Sequence, residues 1–366
     1  MIDFSQDRWK RVKDNARKWW AGELDRPLIQ FTVLDRETKR PKPAGPSHYF
    51  TSFYDRSVPA QKIVDDWEYR LETSRFLGDD FPHINPYFGP GVGAAFMGAE
   101  LHNNIEVKTT WFHPREILEP AQLKMQHDPS SPWWPRVCEL YRAAGERFGG
   151  MVQIDMTDLG GNLDLLATFR TSQNLLMDLY DAPDEVKRLT WEAHERWWDY
   201  FTRLSSLSGP DNPGYTSWTP IFSEKPSYML QCDFAFMISP AMFDEFVKPE
   251  LQATCRRMVN PFFHLDGPGL LQHLDSLLTI PELKGIQWIP GDGAKDITEW
   301  PEVYRRIRDA GKLIQMYLFQ SKNGWEALDI IADQLGSAKG IVMIGQGDVS
   351  KQDEAMKYIE KYGAAQ

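Results

Sequence analysis

The stretch Phe262-Phe263-His264-Leu265-Asp266-Gly267-Pro268-Gly269 joins an apolar run to a turn and carries two reactive side chains at the junction. Side chains two apart on a strand share a face, so His264 and Asp266 are expected to point the same way. Leucines at helical spacing follow the turn, which indicates a strand followed by a crossover helix. Because ligands bind at the carboxyl edge of such strands, the stretch predicts an α/β fold with a site at this pair.

Short apolar runs alternate with longer helix-like runs along the whole chain, a pattern typical of parallel strands with crossover helices. The sequence predicts strands at 28–33, 83–88, 151–157, within 215–233, and at 262–266, 285–289, 313–319 and 340–345. The clearest helices are predicted at 182–207, 240–258, 300–310, 325–335 and 351–362. Eight such units favour a single (β/α)8 TIM barrel spanning residues 1–366, with an open doubly wound sheet as the alternative.

Two segments lie outside this repeat. Residues 4–21 have the pattern of an amphipathic helix, which is expected to cover the bottom of the barrel. Residues 103–117 alternate apolar and polar side chains after the second strand and predict a β-excursion. This excursion is expected to act as a lid or to contact a second copy of the chain in a homodimer.

Composition excludes several classes of function. The chain has 366 residues, of which 42% are hydrophobic and 25% charged, as expected of a folded globular protein. A net charge of −11, with scattered lysines and arginines, disfavours a nucleic-acid partner. No apolar run reaches the roughly 20 residues of a membrane span, and the amino terminus does not resemble a signal sequence. Three cysteines far apart form no disulfide framework, so the sequence predicts a cytoplasmic protein.

Several predicted strands carry polar side chains at alternate positions near their carboxyl ends, which an apolar barrel core does not require. Their expected convergence on one mouth is the main sequence argument for an enzyme. The candidates are His83, Asn85, Tyr87, Asp155, His264, Asp266, Gln287, Gln315, Tyr317 and Gln346. Each has a plainer interpretation, since a buried glutamine is often a satisfied core group and Asp266 is suited to cap the next helix. Trp218 and Trp288, at strand ends, are the tryptophans best placed to line a pocket.

The chain also resembles a known superfamily. The segment Ser239-Pro240-Ala241-Met242-Phe243-Asp244-Glu245-Phe246-Val247-Lys248-Pro249 resembles the Ser-Pro-x-x-aromatic-x-x-Phe-x-x-Pro segment of the uroporphyrinogen decarboxylase superfamily, and Arg26-Pro27 is similar to its opening Arg-Pro. The resemblance implies a (β/α)8 barrel. It also implies either decarboxylation or methyl transfer with corrinoid proteins, in some members with zinc.

The sequence departs from the true decarboxylase of that superfamily. The decarboxylase carries an arginine-rich loop after its Arg-Pro, which grips the carboxylates of its substrate, and this chain has Leu28-Ile29-Gln30-Phe31-Thr32-Val33 there. Without those arginines an acidic chain has little to neutralise eight carboxylates. Uroporphyrinogen decarboxylation is therefore disfavoured.

Thiol methyltransferases of the superfamily use a zinc site of the form His-x-Cys-Gly plus a later cysteine. The corresponding residues here are His264-Leu265-Asp266-Gly267, and no cysteine follows Cys255. A mixed site of His264, Asp266 and Cys232 is expected to suit zinc acting as a Lewis acid on an ether or amine.

These expectations combine into a function. The chain is predicted to move a methyl group from a small methoxylated or methylated compound to a corrinoid carried on a partner protein. His264, or a metal bound to it, supplies the acid for the leaving group and Asp266 orients it, while Tyr317, Asp155, Gln315 and Gln346 fix the substrate.

Two alternatives stay open. A decarboxylase or lyase acting on a small acid needs a cation at the mouth, for which Arg36, Lys225 and Lys295 are the candidates. A non-catalytic barrel that binds a small molecule needs no group for proton transfer at all.

Overall fold

The computed structural model describes residues 2–365, in which parallel strands alternate with helices. The strands are β1 (Leu28–Val33), β2 (Arg75–Gly78), β3 (His83–Ile84), β4 (Glu100–Asn104), β5 (Thr109–His113), β6 (Gln153–Ile154), β7 (Ser227–Leu230), β8 (Asn260–Asp266), β9 (Gly285–Ile289), β10 (Leu313–Tyr317) and β11 (Ile341–Gly347). The α-helices are α1 (Gln6–Trp20), α2 (Ala60–Glu72), α3 (Gly93–Phe96), α4 (Trp133–Phe148), α5 (Asn162–Arg170), α6 (Ser172–Asp181), α7 (Pro183–Leu207), α8 (Pro240–Met242), α9 (Lys248–Arg257), α10 (Leu274–Leu278), α11 (Pro301–Asp309), α12 (Glu326–Leu335) and α13 (Gln352–Lys361).

One sheet of seven strands dominates the molecule, in the order β2-β1-β11-β10-β9-β8-β7. Neighbouring strands of this sheet pair in parallel, except that β2 runs antiparallel to β1. A second, two-stranded parallel pair is formed by β3 and β6. All eight predicted strands are therefore present, and their order and direction agree with an α/β barrel.

The closed ring of a TIM barrel is not confirmed, because no backbone ladder of the described residues joins β3 and β6 to the larger sheet. On one side, β2 occupies the edge of β1 on which the second barrel strand would pair. On the other side a short antiparallel bridge, Tyr215 to Ser223, lies in the chain before β7. The end of β6 bonds to this insertion, with Met156 N donating to Thr216 O at 3.0 Å. Both interruptions come from segments inserted between the eight β/α units, namely β2 and the residues around the Tyr215–Ser223 bridge. The repeat of β/α units in the sequence does not reveal such insertions.

The stretch 262–269 folds as its alternation predicts. Phe262 lies in the smaller apolar cluster inside the sheet, together with Leu28, Leu313 and Val342. Phe263 and Leu265 lie in the larger cluster, which fills the space between sheet and helices. His264 and Asp266 therefore lie above Phe262 on the inner face, at the carboxyl end of β8.

Helix α1 covers the amino ends of the strands, as its amphipathic pattern predicts. Ser5 caps it by accepting a hydrogen bond from Arg8 N at 3.2 Å. The ring of Trp19 stacks on Phe262 at 6.2 Å between centroids, and its Nε1 donates to Ile341 O at 3.2 Å. The polar mouth thus lies at the opposite end of the strands from this apolar floor.

Local differences from the sequence prediction are small. The fourth strand, predicted only as lying within 215–233, is β7, and the predicted helix 240–258 is built from α8, a π-helical turn at Phe243–Val247, and α9. The β-excursion is the antiparallel hairpin of β4 and β5. In the described part of the chain, no helix is long and apolar enough to cross a membrane.

Candidate active site

A row of polar side chains crosses three neighbouring strands at the level of His264. The register places His264 of β8 beside Gln287 of β9, and Gln287 beside Gln315 of β10. Phe262 and Leu313, one step lower on the same faces, are apolar. The change from apolar to polar along each inner face marks where the core ends and the site begins.

Hydrogen bonds connect this row to the next strand end. Nδ1 of His264 pairs with Oε1 of Gln287, and Nε2 of Gln287 donates to Oγ1 of Thr219 at 3.3 Å. The Thr219 hydroxyl shares a 2.8 Å hydrogen bond with the Tyr317 hydroxyl. Burial raises the pKa of Tyr317 to about 12, so its hydroxyl stays protonated at neutral pH.

This chain of bonds fixes the tautomer of His264. An amide oxygen only accepts, so Nδ1 of the imidazole carries the proton that it donates to Gln287. In the neutral ring Nε2 is then left with a lone pair. A histidine held through its other nitrogen in this way is the usual arrangement of a metal ligand.

Two carboxylates flank the free nitrogen. Nε2 of His264 lies 3.8 Å from Oδ2 of Asp266. Asp233, from the turn after β7, completes a group whose potential ligand atoms all lie within 4.8 Å of one another. The side chain of His264 is 14% exposed and that of Asp266 is 44% exposed, so the group opens to solvent. One nitrogen and two carboxylate oxygens are donors that suit zinc or a harder divalent cation.

The surroundings of Asp233 raise its pKa. The protein around the side chain excludes bulk water and Asp266 adds to the rise, while His264 acts in the opposite direction. Asp164 holds the backbone of this turn, because its carboxylate accepts from Asp233 N at 2.9 Å and from Phe234 N at 2.7 Å. A bound cation would offset the repulsion between these carboxyls.

The structure places Cys232 outside this group. Its side chain is fully buried and its Sγ faces Oδ1 of Asn162 at 3.9 Å. Burial raises the pKa of the thiol well above its usual value, so it stays protonated. The next residue, Asp233, takes the place expected for the cysteine.

The two candidate tryptophans have different positions. Trp218 lies edge-on to His264, with ring centroids 5.0 Å apart, and forms a wall of the site. Trp288 follows the inward-facing Gln287 on β9, so it points to the outer face and packs on Trp300 at 5.1 Å. Of the two, only Trp218 is placed to contact a ligand beside His264.

A second histidine lies at the ends of β3 and β6. Nδ1 of His83 is 2.7 Å from Oδ2 of Asp155, and Oδ1 of Asp155 accepts from the Thr216 hydroxyl. Asp155 is 1% exposed, whereas the side chain of His83 is 24% exposed. Asp80 also acts on the charge of His83 and accepts a hydrogen bond from Thr32 at 2.7 Å. The structure thus joins His83 and Asp155 into one unit.

The remaining candidates are spread over different depths. Tyr87 packs on Phe50 at 4.8 Å, and Asn85 has a buried amide oxygen without a hydrogen-bond partner in the described residues. Gln315 is fully buried with both amide atoms unpartnered in that part of the chain. Gln346 is exposed at the rim, opposite Thr32. Gln315 is therefore the buried end of the polar row, and Gln346 lies at its edge.

Three site residues are absent from the sequence prediction, namely Thr216, Thr219 and Asp233. The first two belong to Thr216-Ser217-Trp218-Thr219, a polar run in the region where the fourth strand is ambiguous in the sequence. Thr216 bonds to Asp155, Trp218 contacts His264, and Thr219 bonds to Gln287 and Tyr317. This four-residue segment thus contacts both histidine units. The run of hydroxyl and indole side chains is the sequence feature by which this segment could have been predicted as part of the site.

No model of a protein family matches the chain, and no curated protein is significantly similar to it in sequence. Among solved structures, the chain is similar to a methyltransferase from Methanosarcina mazei, with a TM-score of 0.61 and 12% sequence identity. The match covers 97% of this chain and 99% of that one. At this identity the likeness shows that the two chains share their fold over nearly their whole length.

Proposed function

We propose that this chain is a metal-assisted methyltransferase that takes a methyl group from a small methoxylated or methylated compound and passes it to a corrinoid on a partner protein. The observation that carries the proposal is the free Nε2 of His264, held next to Asp233 and Asp266. The fold shared with the methyltransferase from Methanosarcina mazei supports the reaction class.

The donor set fits zinc. Asp233, His264 and Asp266 offer three ligands, which leaves a position for substrate in a tetrahedral site. Bound zinc would act as a Lewis acid on the leaving oxygen or nitrogen. Gln287 holds the imidazole in the ligating tautomer, Asp164 holds the turn that carries Asp233, and Trp218 excludes water from one side.

The rim of the site supports a macromolecular partner. Large apolar side chains are exposed on loops that follow β1, β7 and β10, namely Tyr49 at 75%, Phe236 at 56% and Phe319 at 77%. Exposed aromatic residues around a cleft are typical of protein interfaces. A protein that carries the methyl acceptor would approach His264 from this side.

The test is an assay with cob(I)alamin as methyl acceptor and a panel of methoxylated and methylated compounds, together with elemental analysis of the purified protein. We expect about one zinc per chain, and we expect His264→Ala to lose most of it because one of three protein ligands is removed. The same variant should lower kcat at least about a hundredfold. His102→Ala, on the exposed hairpin, is the matched control and should change neither quantity.

Two results would contradict the proposal. Full activity in metal-free protein would show that the reaction needs no metal, and His264 would then act as a general acid. Release of carbon dioxide from a small acid, without methyl transfer, would instead support the decarboxylase alternative. Of the cations expected to serve that alternative, Arg36 is engaged elsewhere, 3.6 Å from Asp3.

A further inference from the structure

We propose that His83, held by Asp155, is a second catalytic residue of this enzyme and donates the proton to the leaving oxygen of a methyl ether. The inference rests on the proposed function, and it separates two tasks: cation binding at His264 and proton donation at His83. It also narrows the substrate class to compounds whose methyl group is attached to oxygen.

The geometry of His83 is that of an oriented proton donor. Asp155 binds Nδ1 at 2.7 Å, and Thr216 holds the other oxygen of the same carboxylate. Asp155 is almost fully buried, so it positions the ring without itself reaching a substrate. Nε2 has no hydrogen-bond partner in the described residues, and the ring remains 24% exposed. The proton on Nε2 is therefore the one available to a ligand.

The charges around His83 favour its protonated form. Burial alone would lower the pKa of His83, but the Asp155 and Asp80 carboxylates raise it above its ordinary value. Arg8 acts on Asp80 and is a further charged group in this cluster. A protonated imidazole between two carboxyls does not attract an anion, which favours donation of a proton over binding of a carboxylate substrate.

A short segment contacts both histidine units. Thr216 contacts the unit of His83, and Trp218 contacts His264. The Cα atoms of Thr216 and Trp218 are at most about 7 Å apart, because two residues of extended chain span no more. In the proposed step the ether oxygen lies against this segment, between the two histidine units.

Atoms and electrons balance in the proposed step. The C–O bond of the ether breaks and its electron pair stays on the oxygen, which takes the proton from Nε2 of His83. The methyl carbon forms its new bond with the electron pair of a reduced, nucleophilic acceptor of the cobalamin class. The products are an alcohol or phenol and the methylated acceptor, and solvent returns the proton to His83. Alkoxides and phenolates are poor leaving groups, so this proton lowers the barrier substantially.

The decisive experiment compares two aryl methyl ethers that differ in their need for a proton. With cob(I)alamin as acceptor, His83→Gln should slow demethylation of 4-methoxyphenol by about 10²- to 10⁴-fold. The loss should be much smaller for 4-nitroanisole, because nitrophenolate leaves without help. His102→Gln is the matched control on the hairpin and should leave both rates unchanged. Equal losses for the two ethers, or no loss for either, would overturn the proposal.

Asp155→Asn tests the positioning role. It keeps the shape of the side chain but removes the charge that stabilises the imidazolium. Because the protonated form is active, kcat/KM should fall as the pH rises through the pKa of His83. That fall should move to lower pH in Asp155→Asn, while the zinc content stays unchanged. A loss of activity with an unchanged pH profile would mean that Asp155 serves folding alone.

A third measurement separates failure of this inference from failure of the proposed function. Nitrogen NMR of the His83 ring should show both nitrogens protonated below the pKa of His83, and 4-methoxyphenol should shift the Nε2 signal without any turnover. If the wild type demethylates nothing but the signal shifts, the proton donor stands and methyl transfer to a corrinoid fails. If ethers are demethylated and the signal does not respond, methyl transfer stands and the role of His83 is refuted.

Discussion

The amide of Gln287 accepts from Nδ1 of His264 and donates to Thr219, so it selects the nitrogen of His264 that remains for a cation. Partners of this kind typically contribute a factor of about 10 to 100 to metal affinity. We therefore expect Gln287→Leu to weaken zinc binding by about that factor, measured by competition with a chromophoric chelator. Gln315 is in register with Gln287, but its amide has no hydrogen bond to a metal-ligating residue in the described part of the chain. Gln315→Leu should therefore leave zinc affinity unchanged. Equal losses in both variants would show that the effect is general to the core.

At the level of elements, β8 and α1 form the floor below the site. Trp19 is 1% exposed, stacks on Phe262 and bonds to Ile341. Truncating a buried tryptophan leaves a large cavity, so Trp19→Ala should lower the free energy of unfolding by about 3–5 kcal/mol in a urea titration. Trp191→Ala, at a 43% exposed position of α7, should cost much less. Similar costs in both variants would contradict a floor built on Trp19.

The elements also show where sequence reasoning succeeds and where it stops. Alternation along β8 is sufficient to place His264 and Asp266 on the inner face, because one strand face is apolar below them. The turn after β7 has no such period, so the sequence suggests Cys232, whereas Asp233 is the residue beside His264. A shift of one residue exchanges the two faces of an extended chain. The segment Thr216–Thr219 escapes prediction because isolated hydrogen bonds hold it and it has no strand periodicity. A closed ring is predicted because periodicity does not show which strands pair at the edges of a sheet.

For the whole molecule, buried carboxyls determine how stability depends on pH. Burial raises the pKa of Asp80 to about 6 and that of Asp158 to about 7. Between about pH 5 and pH 8 the folded state thus holds more protons than the unfolded state, so the free energy of unfolding should fall as the pH rises. His83 acts in the same direction, and His273, whose pKa burial lowers, acts against it.

Urea titrations at several pH values measure this slope. When the pKa of a group differs by one between the folded and unfolded states, the free energy of unfolding changes by about 1.4 kcal/mol. Asp158→Asn keeps an acceptor for Gly160 N and removes one titration, so it should flatten the curve. A free energy of unfolding that increases over this pH range would contradict the assignment of these carboxyls as buried groups with raised pKa values.

The gap between the two sheets has a consequence for how the site tolerates change. His83 belongs to the β3–β6 pair and His264 to the large sheet, and no strand ladder of the described residues joins them. The segment Thr216–Thr219 contacts both histidine units across this gap, through Asp155 on one side and His264 on the other. Thr216 and Thr219 are 2% and 1% exposed and hydrogen-bonded, so substitutions in that segment would alter both histidine units and would also lower the stability of the fold.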